Sequence, residues 1–234
     1  MLPTDHPIRW LRQFELKPGS VLDVGCGNGY LSKELIRMYP QAEVYGLDMD
    51  SLTLAVALHR RNLRKDHAIC GDAKYLGRPQ ADSFNKIEIT EGALTWDREI
   101  QKYDEDWRKI HRLEAEFPKE FDLVFANDVA HMMDLEDWGK AMHGATDSNP
   151  PTIGEMGRAV GPGGHMLYSA PAFNRYVDGR NITAEKTREF VEEVRKDAEG
   201  AGLKLVRWKY MGDRRKFPKR DDTELDIGFF CRKI

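Results

Sequence analysis

Residues 21 to 30 read VLDVGCGNGY, and the rest of the chain is organised around them. Val21, Leu22 and Val24 make a short apolar run, introduced by Pro18 and Gly19, and predict a buried strand. The strand runs into Gly25, Gly27 and Gly29, and an apolar-periodic helix follows at once through Leu31, Leu35, Ile36 and Tyr39. Glycines at such a strand-to-helix turn let the backbone adopt dihedrals closed to other residues and approach a ligand closely. The helix start adds N–H groups without intrahelical partners and the positive end of a dipole. Asp23, two positions before the first glycine, completes the register D-x-G-x-G-x-G from Asp23 to Gly29.

The dinucleotide fingerprint G-x-G-x-x-G wants a glycine at position 30, where this chain has Tyr30. The observed register instead resembles the first motif of the class I (Rossmann-like) S-adenosylmethionine-dependent methyltransferases. That resemblance implies an α/β three-layer sandwich around a mostly parallel seven-stranded sheet whose last strand is antiparallel. It implies a cofactor, S-adenosyl-L-methionine with S-adenosyl-L-homocysteine as product, lying across the carboxyl ends of the first strands. Gly25, Cys26 and Gly27 would approach it, and Asp23 would face its methionine end, often through water.

The likeness continues along the chain. Val44, Tyr45 and Leu47 predict a second strand ending in Asp48, nineteen residues past Gly29, where an acid is placed to accept hydrogen bonds from the ribose of an adenosine. Met49 would flank the adenine, and the next helix is expected to run to about Arg64. A third strand, Ala68 to Cys70, leads to Asp72 and Ala73; in the family these positions hold the adenine amino group and a ring nitrogen. The fourth strand, Phe121 to Phe125, delivers Asn127, Asp128 and His131 to the carboxyl edge, where open α/β sheets bind ligands. The form NDVAHMMD looks like the small-molecule branch. Asp128 and His131 are the catalytic candidates, because a histidine has the right pKa to take a proton from a hydroxyl or amine; a structural histidine explains the residue as well. A helix over 152 to 163 and a strand from His165 to Ala170 come next. A long amphipathic helix capped by Thr183, with Phe190, Val191, Val194 and Ala198 on one face, precedes two final strands, LKLVRWKYM and ELDIGFFCRKI.

Four stretches stand apart. Residues 5 to 16 predict a first helix in which Trp10 and Arg9 either cover the cleft or pack in the core. Residues 77 to 120 are long for their place between the third and fourth strands, and twelve acidic residues from Asp82 to Asp122 outnumber seven basic ones. They read as a solvated insertion, a lid or a dimer surface. The triplet Asn149-Pro150-Pro151 lies too late in the chain, and lacks the following aromatic, to be the motif of adenine methylation on DNA. From Lys204 to Arg220, along the sixth strand and into the loop that joins it to the last, eight basic residues include Arg214, Arg215 and Lys216. They suit either a protective edge loop or attraction of an anionic acceptor by bidentate arginine.

At 234 residues and a net charge of −3, the chain fits a single domain, residues 1–234, with the insertion inside it. Nothing in this balance calls for DNA or an anionic membrane, and RNA is disfavoured by the same argument. No apolar run has membrane-spanning length, and the N-terminal residues lack a signal-peptide core, so a cytoplasmic protein is expected. Cys26, Cys70 and Cys231 are widely spaced and suggest no metal site. The expected function is methyl transfer to an oxygen or nitrogen of a small-molecule, possibly anionic, acceptor. The alternatives are an RNA- or protein-modifying methyltransferase and a non-catalytic cofactor-binding scaffold; the oligomeric state is open.

Overall fold

The computed structural model describes residues 7–71, 73, 76, 118–127, 153–171, 184–211 and 226–234. Its seven strands are β1 (Ser20–Val24), β2 (Glu43–Asp48), β3 (Ala68–Cys70), β4 (Phe121–Asn127), β5 (Val160–Pro171), β6 (Leu203–Met211) and β7 (Asp226–Lys233). They form one sheet in the order β3-β2-β1-β4-β5-β7-β6. β1 pairs in parallel with both β2 and β4, so the glycine turn leaves the middle of the sheet. β7 runs antiparallel to β5 and β6, which makes β6 parallel to the first five strands. This is the seven-stranded, mostly parallel arrangement expected of the class I fold.

Successive side chains of a strand point to opposite faces, and each face here is covered by helices. Leu22, Val24, Leu47, Val124, Ala126, Met166 and Phe229 form the core on one side, with α4 (Ile153–Gly157) and α5 (Ala184–Gly200) supplying Met156, Val191, Val194 and Ala198. Val21, Val44, Leu123, Phe125, Leu167 and Phe230 line the other, under α1 (Pro7–Leu11) and α2 (Tyr30–Met38). Coverage of both faces is why the parallel strands read as continuous apolar runs rather than alternating ones. Trp10 settles into this second core with no exposed surface; Phe14 meets its ring edge-on at 5.4 Å and Lys209 Nζ lies 5.6 Å from its centroid. Its role is packing, the second of the two roles open from the sequence.

Several boundaries differ from the expectation, each for a local reason. α1 is one short turn and passes into a tighter turn at Arg12–Phe14, where Phe14 stacks on Phe230 at 3.6 Å. Within α2, Ser32 and Leu35 are buried, whereas Ile36 is 38% exposed. The helix α3 (Ser51–His59) stops well short of Arg64. Arg61 takes a left-handed φ of 54°, its N–H donates to Leu58 O, and Asn62 N–H donates to Ala57 O. That pair of bonds is a Schellman stop, here closed without glycine. α4 covers only Ile153–Gly157, because β5 already begins at Val160. The GPGG stretch is part of the strand: Phe121 pairs with Val160 but Leu123 with His165, a shift taken up at Gly163 (φ 72°). A Cβ on Gly164 would sit 3.0 Å or less from the carbonyl oxygens of Gly161, Phe121 and Asp122.

At the amino edge of the sheet, Asp122 Oδ2 accepts from the N–H groups of Gly19 (2.7 Å) and Ser20 (3.0 Å), while Ser20 Oγ accepts from Asp122 N–H (3.1 Å). This clamp fixes the register of β1 on β4 from the end opposite the glycine turn. Among the described residues no helix is long and apolar enough to cross a membrane.

Candidate cofactor site

The turn after β1 is hung from the end of β2. Gly25 and Cys26 both donate their N–H to Leu47 O, at 2.7 and 3.0 Å, and Gly27 donates to Asp48 Oδ2 at 2.7 Å. Gly25, Gly27 and Gly29 have φ of 67°, 51° and 72°. The alternate glycines are thus required by backbone conformation, since an L side chain is strained in this region. Among the described residues, a Cβ on Gly27 would meet nothing within 4 Å, so they leave that side of the turn open to a ligand. A Cβ on Gly29 would instead crowd Asn62 Cβ at 2.9 Å and Ala57 Cβ at 3.0 Å. Cys26 turns inward against Gly46 of β2, where any added Cβ would overlap Leu63 and approach Cys26 Sγ to 2.8 Å.

Two carboxylates flank this turn. Asp23 is buried beneath the start of α2, and its Oδ2 accepts from Ser32 Oγ at 2.5 Å. Burial, aided by the nearby Asp48 charge and opposed by the Ser32 hydrogen bond, raises the Asp23 pKa to about 7. Asp48 is partly exposed at the strand end; its Oδ2 accepts from Gly27 and its Oδ1 from Asp50 N–H at 2.8 Å. Burial raises its pKa too, against the backbone hydrogen bonds that favour the charged form. The two thiols at the site are protonated at neutral pH, because burial lifts Cys70 to about 12 and Cys26 well above its ordinary value. Neither is a nucleophile.

The neighbouring strand ends complete the edge. Cys70 pairs with Asp48 across β2 and β3, and Gly71 N–H donates to Asp48 O at 2.9 Å. Ala73 is buried just beyond, and Met49 is 46% exposed beside Asp48. On the other side of β1, Asn127 ends β4, and its Oδ1 accepts from the buried Ser169 Oγ of β5 at 2.8 Å. The structure therefore brings Asp23, Gly25, Cys26, Gly27, Asp48, Met49, Ala73 and Asn127 to the carboxyl ends of four adjacent strands. Asp72, Asp128 and His131 lie outside the described residues, as do Arg214, Arg215 and Lys216. β6 ends at Met211 and β7 begins at Asp226, register partners beside Pro171, so the connection between them leaves from this same edge.

Three supporting residues had not been picked out. Ser32 signals itself as a hydroxyl in the first turn of an otherwise apolar-faced helix. Asn62 follows the end of α3, where a polar residue reads as a solvated cap; its Nδ2 in fact donates to Asn28 O at 2.9 Å. Ser169 sits inside an apolar strand, and the pairing with Asn127 that explains it spans 42 residues. Among the described residues, no group of three or more His, Cys, Asp or Glu side chains forms a metal site.

Comparison with known proteins agrees with this geometry. Residues 21–113 match a methyltransferase domain family. A malonyl-[acyl-carrier protein] O-methyltransferase of Legionella pneumophila is 36% identical over 121 residues, which are 52% of this chain and 30% of that protein. A tRNA1(Val) (adenine(37)-N6)-methyltransferase of Vibrio cholerae is 38% identical over 60 residues, 26% of this chain and 25% of that protein. The chain thus spans three tenths or less of the length of these two relatives. In structure, it resembles phosphoethanolamine N-methyltransferase 2 of Haemonchus contortus, solved in complex with S-adenosyl-L-methionine. The TM-score is 0.51 at 18% identity, over 97% of this chain and 51% of that one, a likeness that speaks to the fold. Strand order, glycine turn and matched domain agree: the chain has the class I methyltransferase fold, and its residues 21–113 are similar to a methyltransferase domain.

Proposed function

We propose that this chain binds S-adenosyl-L-methionine at the edge formed by β1, β2, β3 and β4 and transfers its methyl group to an oxygen or nitrogen of a small or carrier-bound acceptor. The observation that carries this reading is Asp48, a partly exposed carboxylate at the end of β2 whose oxygens lean on the glycine turn. A carboxylate offers about four acceptor positions, so ribose hydroxyls share these oxygens with the backbone N–H groups of Gly27 and Asp50. The open space at Gly27 lets the cofactor approach the main chain close to the start of α2. Met49 and Ala73 stand where adenine would lie. Asp23, held by Ser32, supplies negative character behind the turn, on the side of the cofactor's cationic end. The residues present fit the group.

When bound, S-adenosyl-L-methionine supplies a methyl group already activated by its sulfonium. What remains for the protein is alignment and exclusion of water, worth several kcal/mol in bringing reactants together (on the order of 7 or more). Asn127, steadied by Ser169, is the cofactor contact proposed at the end of β4. His131 and Asp128, a few residues beyond the end of β4, are proposed to take a proton from a hydroxyl or amine acceptor; a carboxylate acceptor needs no base at neutral pH. The carboxylate case is supported by the relative named for malonyl-[acyl-carrier protein] and by the basic stretch between β6 and β7, which starts from the same edge. A second reading, methylation of RNA, rests on the tRNA-methyltransferase match over 60 residues.

Titration calorimetry tests the cofactor part: S-adenosylhomocysteine binds, NAD and NADP do not. Asp48→Ala removes charge-assisted bonds worth about 1.5–3 kcal/mol each, so affinity falls about tenfold or more. Unchanged affinity in that variant sinks the ribose assignment. Incubating the protein with labelled cofactor and separate pools of small metabolites, carrier-protein thioesters and tRNA then identifies the acceptor class. Label appearing in tRNA alone replaces the first reading with the second.

A further inference from the structure

Asn62 is only 6% exposed and belongs to neither carboxylate nor glycine motif. It directly follows Arg61, the left-handed stop of α3. The stop itself uses only main-chain groups, Arg61 N–H to Leu58 O at 3.0 Å and Asn62 N–H to Ala57 O at 2.9 Å. The Asn62 side chain is therefore surplus to the capping of its own helix. It reaches instead across 34 residues, where Nδ2 donates to Asn28 O at 2.9 Å. That carbonyl belongs to the same peptide unit as the Gly29 N–H, which donates to Cys26 O at 2.9 Å. Both ends of the Asn28–Gly29 peptide plane are thus pinned. The absent side chain of Gly29 leaves room for Asn62 Cβ itself, since a Cβ at Gly29 would come within 2.9 Å of it.

We propose that Asn62 is a positioning residue for the cofactor turn: it holds the Asn28–Gly29 peptide so that the open side of Gly27 and the first N–H groups of α2 keep one orientation toward the cofactor. The inference rests on the cofactor reading above. Without this donor the peptide is free to rotate about the flanking glycines, whose wide range of dihedrals makes the turn easy to misorder. The Asn28 carbonyl, in a part-buried bond, also loses this partner, a cost felt at the turn rather than in α3. In the bland alternative, Asn62 merely helps the end of α3 to pack, and its loss acts through overall stability.

The test uses the full chain, S-adenosylhomocysteine as probe, and four variants: Asn62→Ala, Asn62→Asp, Arg61→Gly and Asn62→Ala with Arg61→Gly. Arg61→Gly relieves the left-handed strain at φ 54° and raises ligand-free thermal stability without touching the turn. Calorimetry should show Asn62→Ala weakening the probe about tenfold or more, with Asn62→Asp, which sets an anionic acceptor against the Asn28 carbonyl, weakening it further. The double variant should regain the melting temperature of the wild type and keep the weakened binding. Should Asn62→Asp fail to fold, Asn62→Ala and the double variant carry the comparison alone. If affinity returns along with stability in the double variant, or if Asn62→Ala binds within twofold of the wild type, Asn62 is a packing residue and the inference is overturned. If the wild type itself does not bind the probe, the cofactor reading fails, and this inference with it.

Discussion

Replacing Asp23 with Asn should make the ligand-free chain more stable, and increasingly so as pH rises. Asp23 lies buried under α2 with 1% of its surface exposed, and Ser32 Oγ donates to its Oδ2 at 2.5 Å. Its pKa stands at about 7 against an ordinary 3.8, chiefly through burial. At about 1.4 kcal/mol per pH unit, ionising it in the folded chain is unfavourable by about 4 kcal/mol. Because the folded value lies above the unfolded one, the folded chain binds more protons than the unfolded chain between about pH 4 and 7. This group's contribution to stability therefore falls through that window and is level beyond it. Asn is neutral at every pH and nearly the same shape, and its Oδ1 still accepts from Ser32. Relaxation around the charge trims the difference, so the variant should exceed the wild type by about 1–3 kcal/mol at pH 8. Urea unfolding at pH 5.5, 7 and 8.5 measures it. A gap that stays constant with pH, or one that shrinks as pH rises, refutes the picture of a carboxyl held by burial near neutrality.

Two further outcomes are expected. Gly46→Ala drives a methyl into Leu63 and Cys26, and should destabilise the chain by about 1–3 kcal/mol in denaturant titration, as overpacked cores do; a neutral result means that Cys26 moves away at little cost. His131→Ala should lower kcat by about 10²–10⁴ while S-adenosylhomocysteine binding is kept, once an acceptor is in hand; near-normal turnover at neutral pH returns His131 to a structural role.

What could be read in advance was what short-range pattern encodes. The run Val21 to Val24, the three glycines and Asp48 share one local grammar, strand then turn, and the observed φ values at Gly25, Gly27 and Gly29 show why those positions are glycine. The mostly parallel seven-stranded sheet with an antiparallel last strand followed from the family resemblance, and the register sets Asp48 beside Cys70. The helix ends were harder. Nothing in HRRNLRK marks a stop, because the left-handed position is filled by Arg61 rather than by glycine. VGPGG reads as a helix-ending turn, yet its glycines serve the close approach of β5 to β4. Ser32, Asn62 and Ser169 have partners 9, 34 and 42 residues away. Such bonds leave no periodic trace in the chain and become visible only when tertiary structure brings the partners together.

The Asp122 clamp closes a seam between β1 and β4, two strands about a hundred residues apart in the chain. β3 is one edge of the sheet and β4 starts the other half, so the chain between them joins strands that are not neighbours. For a flexible connection the entropy of bringing its ends together grows only with the logarithm of its length. By that scaling, a connection about as long as the stretch between β3 and β4 opposes closure by only about 1 kcal/mol more than one of about 15 residues would. A few side-chain bonds at the amino edge are enough to offset that. This fold can thus acquire or discard a long segment beside its cofactor edge almost without thermodynamic consequence, which leaves the segment's sequence free to diverge with the acceptor while the strands that hold the cofactor stay as they are.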